Sequence, residues 1–113
     1  MSIPVELERL REEIGRRRLP PYLLTTGPDG PPHVVALVMA WDGDSLVSFA
    51  AGRRSLANAS ARTEVSLLWP PSEPGGYSLI VDGTATVEPG GGEPSREPGP
   101  ARVAVRPTRA VLH

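Results

Sequence analysis

The chain has 113 residues, 39% of them apolar, with 14 Pro and 12 Gly, enough for one domain with a modest core and too few for two. A formal net charge of -1 gives no basic footprint for nucleic acid, and the absence of Cys removes disulfides, thiolate metal sites and cysteine nucleophiles. The longest apolar run, Val34 to Trp41, is far too short to span a membrane, and all 12 basic side chains are Arg, so no lysine Schiff base can form.

The N-terminal 1–19 read as a helix. Ser2 can cap it, Pro4 suits its first turn, and Ile3, Leu7, Leu10 and Ile14 recur at helical spacing to give one apolar stripe. Arg16, Arg17 and Arg18 form a solvated helix end, and Pro20-Pro21 forbid continuation. This charged start is unlike a signal peptide, so the expected compartment is the cytoplasm.

From Tyr22 the pattern changes to strands. Tyr22 to Thr26 is followed by the turn Gly27 to Pro32, and then by His33 to Trp41, a nearly continuous apolar run expected to be buried on both faces. Asp42-Gly43-Asp44 predicts a tight hairpin, and Ser45 to Ala50 the return strand. A polar loop, Gly52 to Ser55, precedes a short helix from Leu56 to Ala61, with Ser55 as its cap. Val65 to Trp69 is a strand. Tyr77 to Val87 alternates but is interrupted by Asp82-Gly83, which reads either as a hairpin turn or as a bulge in one bent strand. Residues 89–100 are Pro, Gly and charge without period and read as a flexible loop, and Arg102 to Arg106 is a final strand that can continue past Pro107. Short strands separated by turn signals predict a mainly β, partly closed barrel in a single domain spanning 1–113.

Three segments in this order carry a resemblance. They are Leu23-Leu24-Thr25-Thr26 with Asp29-Gly30 and His33 to Val38; Trp41 to Phe49; and Gly52 to Asn58 followed by Val65 to Pro70. Together with Val81 to Ala85 they resemble the FMN-binding split-barrel flavoproteins related to pyridoxamine 5'-phosphate oxidase. The resemblance implies a six-stranded antiparallel split β-barrel of Greek-key type with an N-terminal helix and one short helix. It also implies a homodimer with FMN between the subunits and a flavin-dependent oxidoreductase acting on a small molecule. Val34, Val35 and Ala36 match the strand beside the flavin ring, Ser48 and Phe49 meet the cofactor from the next strand, and Arg53, Arg54, Ser55 and Asn58 fall at the phosphate. A planar guanidinium grips two phosphate oxygens at once.

The chain departs from the oxidase at Val34 and Met39, where the oxidase has basic residues, and at Ser55, where it has Lys. Oxidation of pyridoxamine phosphate itself is therefore not expected. Two alternatives stay open: a reductase using the deazaflavin coenzyme F-420, and a non-catalytic flavin- or haem-binding module. Taken alone, Arg53 and Arg54 read as solvated loop charges and Trp41 and Trp69 as packing residues. His33 reads as a strand-end surface histidine. As functional candidates, His33 and Trp69 would line a substrate pocket. No catalytic residue and no metal ligand stands out, and neither nucleic acid nor membrane is an expected partner.

Overall fold

The computed structural model describes residues 2–89 and 101–113. Eight strands and two helices follow in the order β1 (Ile3–Val5), α1 (Leu7–Gly15), β2 (Tyr22–Thr26), β3 (Pro32–Ala36), β4 (Ala40–Asp42), β5 (Ser45–Ser48), α2 (Arg53–Ala61), β6 (Glu64–Trp69), β7 (Leu79–Glu88) and β8 (Arg102–Leu112). All strand pairings are antiparallel, and the sheet runs β3-β2-β6-β7-β8-β5-β4, with β1 paired to β8.

The two edge strands, β3 and β4, are consecutive in the chain. Only Leu37, Val38 and Met39 separate Ala36 from Ala40, so four residue steps hold the two edges within about 14 Å of each other. The sheet must curl until its edges nearly meet, which makes it a barrel open along one seam. Its interior is filled by inward residues from each strand, including Leu23, Leu46, Leu67, Val81 and Val105, and Leu10 of α1 and Ala59 of α2 join the same cluster.

There are eight strands rather than six for two reasons. The run His33–Trp41 breaks at 37–39 into β3 and β4, because it crosses the seam. The N-terminal residues form β1, because the far half of β8 has a free edge: Ile3 pairs with Leu112 and Val5 with Ala110. Sheet bonding there prevails over the helical stripe, so the helix starts only at Leu7. Its N-cap is Glu6 without a side-chain cap bond, and Ser2 Oγ instead hydrogen-bonds His113 Nδ1 at 2.8 Å. Nor is the 33–41 run buried on both faces. Burial alternates along β3, because this edge strand is uncovered on its outer side.

Asp82-Gly83 is a bulge site within one continuous strand, not a turn. Asp82 pairs with Arg109 and Gly83 with Pro107, which leaves Thr108 of β8 as the extra residue. Thr108 Oγ1 donates back to the Asp82 carbonyl at 3.2 Å. Pro107, with no N–H to offer the ladder, sits where the pairing is already irregular. Of the 89–100 loop, residues 90–100 lie outside the described residues.

Candidate functional site

Strand register brings His33, Ser48 and the start of α2 to one end of the barrel. The start of β3 lies beside the end of β2 (His33 opposite Thr25), and the start of β6 beside the second half of β7 (Glu64 opposite Thr84). The start of β8 joins β7 to the end of β5, with Val103 opposite both Val87 and Ser48. Helix α2 leaves β5 at this end and packs across it against β2, β3 and β7. Just past α2, the Ala85 N–H bonds the Thr63 carbonyl at 2.7 Å.

The first turn of α2 is open. Gly52 is its N-cap, extended and without a side-chain cap bond. The first N–H to bond back is that of Leu56, to the Gly52 carbonyl at 3.0 Å. The N–H groups of Arg53, Arg54 and Ser55 therefore have no intrahelical acceptor, and with the helix dipole they make that end electropositive. Both arginines are exposed and neither forms an ion pair among the described residues. They lie within the helix rather than in the loop before it.

Ser55 is placed differently from its reading. It is neither the cap nor accessible. It is 1% exposed, and its Oγ is buried with no hydrogen-bond partner among the described residues. Asn58, one turn on, is a support residue. Its Nδ2 donates to Thr25 Oγ1 at 3.2 Å, and its Oδ1 lies where a Cβ on Gly27 would come within 3.1 Å. The turn after β2 is thereby held against α2.

Ser48 is buried and its Oγ accepts the Ala50 N–H at 3.1 Å, which shapes the exit from β5. Phe49 next to it is 56% exposed. The β4–β5 ladder ends with Ala40 opposite Val47, and beyond it Val38 is 75% exposed. Phe49 stands four residue steps, at most about 14 Å, from Arg53. Val38 belongs to the stretch from Val34 to Met39 that the resemblance sets beside the flavin ring.

Along β3, Val34 and Ala36 face outward and exposed, while His33 and Val35 face inward and half-buried. Because β3 pairs with β2 alone, the peptide groups on its other side are free for a ligand. Trp69 is 3% exposed within the core, at the inward end of the β6 alternation, where it packs the barrel. On the opposite, outer face of the sheet an open groove of ≈ 590 Å³ is lined by Thr26, Pro32, Glu64, Ser66, Asp82 and Thr108 among others. Asp82 there accepts from Ser66 Oγ at 2.7 Å and faces Arg109 at 3.5 Å.

Among the described residues, no helix is long and apolar enough to cross a membrane. No protein-family profile matches the chain. Uncharacterised proteins of Mycobacterium bovis and Mycobacterium tuberculosis are 43% identical to it over 90 residues, 80% of this chain and 53% of each relative. The chain thus spans about half the length of these relatives. Among solved structures, a candidate pyridoxamine 5'-phosphate oxidase from Listeria innocua superposes with a TM-score of 0.70 at 18% identity, covering 95% of this chain and 98% of that one. An F-420 reductase gives 0.63 at 27% identity over 88% and 94%. An FAD-binding protein of Mesorhizobium loti gives 0.69 at 16% identity over 99% and 96%. The curled sheet with its seam between β3 and β4, the helix across one end and these likenesses agree: the chain has the split-barrel fold of the pyridoxamine 5'-phosphate oxidase-like proteins.

Proposed function

We propose that this chain binds a flavin-type cofactor, FMN in the first reading, and serves as a flavin-dependent oxidoreductase on a small molecule. The observation that carries the reading is the uncapped first turn of α2, with Arg53 and Arg54 free among the described residues, four residues after the exposed Phe49. A ligand that suits both halves has a phosphate at one end and a flat apolar ring at the other. The chain's residues fit such a group: arginines and open N–H groups for the phosphate, free peptide groups of an edge strand for the polar rim of the ring. When bound, a flavin supplies the hydride and electron transfer. The protein's part is to grip the phosphate, orient the ring along Val34 to Ala36 and keep water off it with Val38 and Phe49. A site so poor in acid–base groups suits chemistry that the cofactor carries.

The second reading is coenzyme F-420 in the same place, favoured by the 27% identity to an F-420 reductase. Its longer anionic tail would extend past Arg53 and Arg54. In either reading the cofactor lies between two copies of the chain. Support comes from the outward row Ala36, Tyr22, Leu68 and Ile80, aligned across four strands, with Leu24 and Val34 in the next row. Tyr22 and Val34 are 41% and 51% exposed in the single chain, which is a costly face to leave in water.

The test is an absorption spectrum of the purified protein, taken as isolated and again after addition of excess FMN and removal of free ligand. A retained flavin band near one per subunit supports the first reading. Retention of F-420 but not FMN supports the second. Retention of neither overturns both.

A further inference from the structure

We infer that the chain carries a second ligand site, for a free amino acid with an apolar side chain, in the hollow where α1 meets the β4–β5 hairpin and β8. The hollow is a cavity of ≈ 350 Å³, large enough for a small molecule. Leu7 and Trp41 give it an apolar wall. Four charged side chains line it as well: Glu8 and Arg11 of α1, Asp44 of the hairpin and Arg106 of β8. β5 leads from the hairpin to Ser48 and on to α2, so this cavity and the flavin-type site lie at opposite ends of that strand. The inference therefore does not depend on the flavin-type reading.

None of the four charges forms an ion pair among the described residues. Reach is not the reason. Glu8 and Arg11 stand three apart on α1, a spacing at which side chains meet, and near the end of that helix Arg16 bonds Glu13 at the same spacing, at 3.1 Å. Arg11 turns to the hairpin instead. Its Nη2 donates to the Gly43 carbonyl at 2.9 Å, and its guanidinium lies 4.4 Å over the centre of the Trp41 ring. Glu8, Asp44 and Arg106 are left without an ion-pair partner around an apolar wall, and Leu7 in that wall is 46% exposed. This charge pattern selects the ligand class. A neutral apolar molecule would strip water from the charges and replace it with nothing. A simple carboxylic acid would suit Arg106 but face two carboxylates, and a simple amine would suit the carboxylates but face two guanidinium groups. A free amino acid answers both: its carboxylate meets Arg106 in a two-bond fork, its ammonium group meets Glu8 and Asp44, and its side chain lies on Leu7 and Trp41. An internal peptide segment carries neither terminal charge.

The experiment is calorimetric titration of the protein with L-phenylalanine, with 3-phenylpropanoate, which keeps only the carboxylate, and with phenethylamine, which keeps only the ammonium group. L-Phenylalanine is expected to saturate with a Kd of about 1 mM or tighter, and each single-charge analogue to bind about tenfold more weakly or worse, the loss of a charge-assisted bond. Two variants at exposed positions assign the charges, with folding checked by circular dichroism. Arg106→Gln should weaken L-phenylalanine and 3-phenylpropanoate about tenfold and leave phenethylamine no weaker. The double variant Glu8→Gln, Asp44→Asn should weaken L-phenylalanine and phenethylamine by a similar factor and leave 3-phenylpropanoate no weaker. Failure of L-phenylalanine to saturate the wild type overturns the inference. An analogue that binds as tightly as L-phenylalanine reveals a plain anion or cation site and overturns it too. Equal losses for all three ligands in a folded variant mean altered packing and count against it in the same way.

Discussion

Gly83 on β7 lies so close to Arg106 on β8 that a Cβ at Gly83 would sit 2.7 Å from the Arg106 carbonyl oxygen and 2.7 Å from Val105 Cγ1. The carbonyl is backbone, locked by the bulge at Thr108, and cannot move aside. Gly83→Ala should therefore destabilise the fold by about 1–3 kcal/mol, as overpacking of a tight interior does. A urea unfolding curve with an unchanged midpoint would show that the bulge gives way more easily than its geometry implies.

Asn58 and Gly27 form a coupled pair. Gly27→Ala brings a Cβ to 3.1 Å from Asn58 Oδ1, and Asn58→Ala leaves the buried Thr25 hydroxyl without its donor. Each single change should cost about 1–2 kcal/mol. The double variant should be more stable than the sum of the two costs, because removing the Asn58 side chain removes the clash. Strict additivity in a double-mutant cycle would contradict the contact.

Arg54→Ala should weaken FMN retention by about tenfold or more, since a charge-assisted bond contributes about 1.5–3 kcal/mol. Arg54 is exposed and without an ion pair among the described residues, so the melting temperature should stay within a degree or two. Unchanged affinity in a well-folded variant would detach the α2 turn from the cofactor.

Self-association should depend on the outer face of the sheet. The double variant Tyr22→Asp, Val34→Asp puts two charges in place of exposed apolar side chains on this face, one of them in the row Ala36, Tyr22, Leu68 and Ile80. Sedimentation should then report a monomer where the wild type sediments as a dimer, with circular dichroism unchanged. A wild type that is monomeric at micromolar concentration would contradict the expectation directly.

Sequence patterning identified most strands because their alternation is imposed by burial on one side. Leu23 and Thr25 face in while Tyr22 and Leu24 face out, as period two requires. It misjudged the 33–41 run because an apolar outer face reads the same whether a second sheet or another molecule covers it. It misjudged the N-terminus because Ile3 and Val5 serve a helix stripe and an edge strand equally, and only the distant β8 decides. At the site, the order of the surrounding motifs set Arg53 and Arg54 together at the start of the short helix, whose first turn they form. The sealing of Ser55 was not legible, because it depends on how α2 seats against strands remote in sequence.

The seam has one more consequence, for behaviour at high concentration. An open sheet offers its two outermost strands as templates on which further chains can pair, and long flat edges are where ordered aggregation starts. Here those strands are β3, five residues long and opened by a proline with no N–H, and β4, only three residues long. The short link through Leu37 to Met39 turns both toward the same gap. An approaching strand finds little ladder to extend, so the barrel can leave its seam open for a ligand without inviting growth along it.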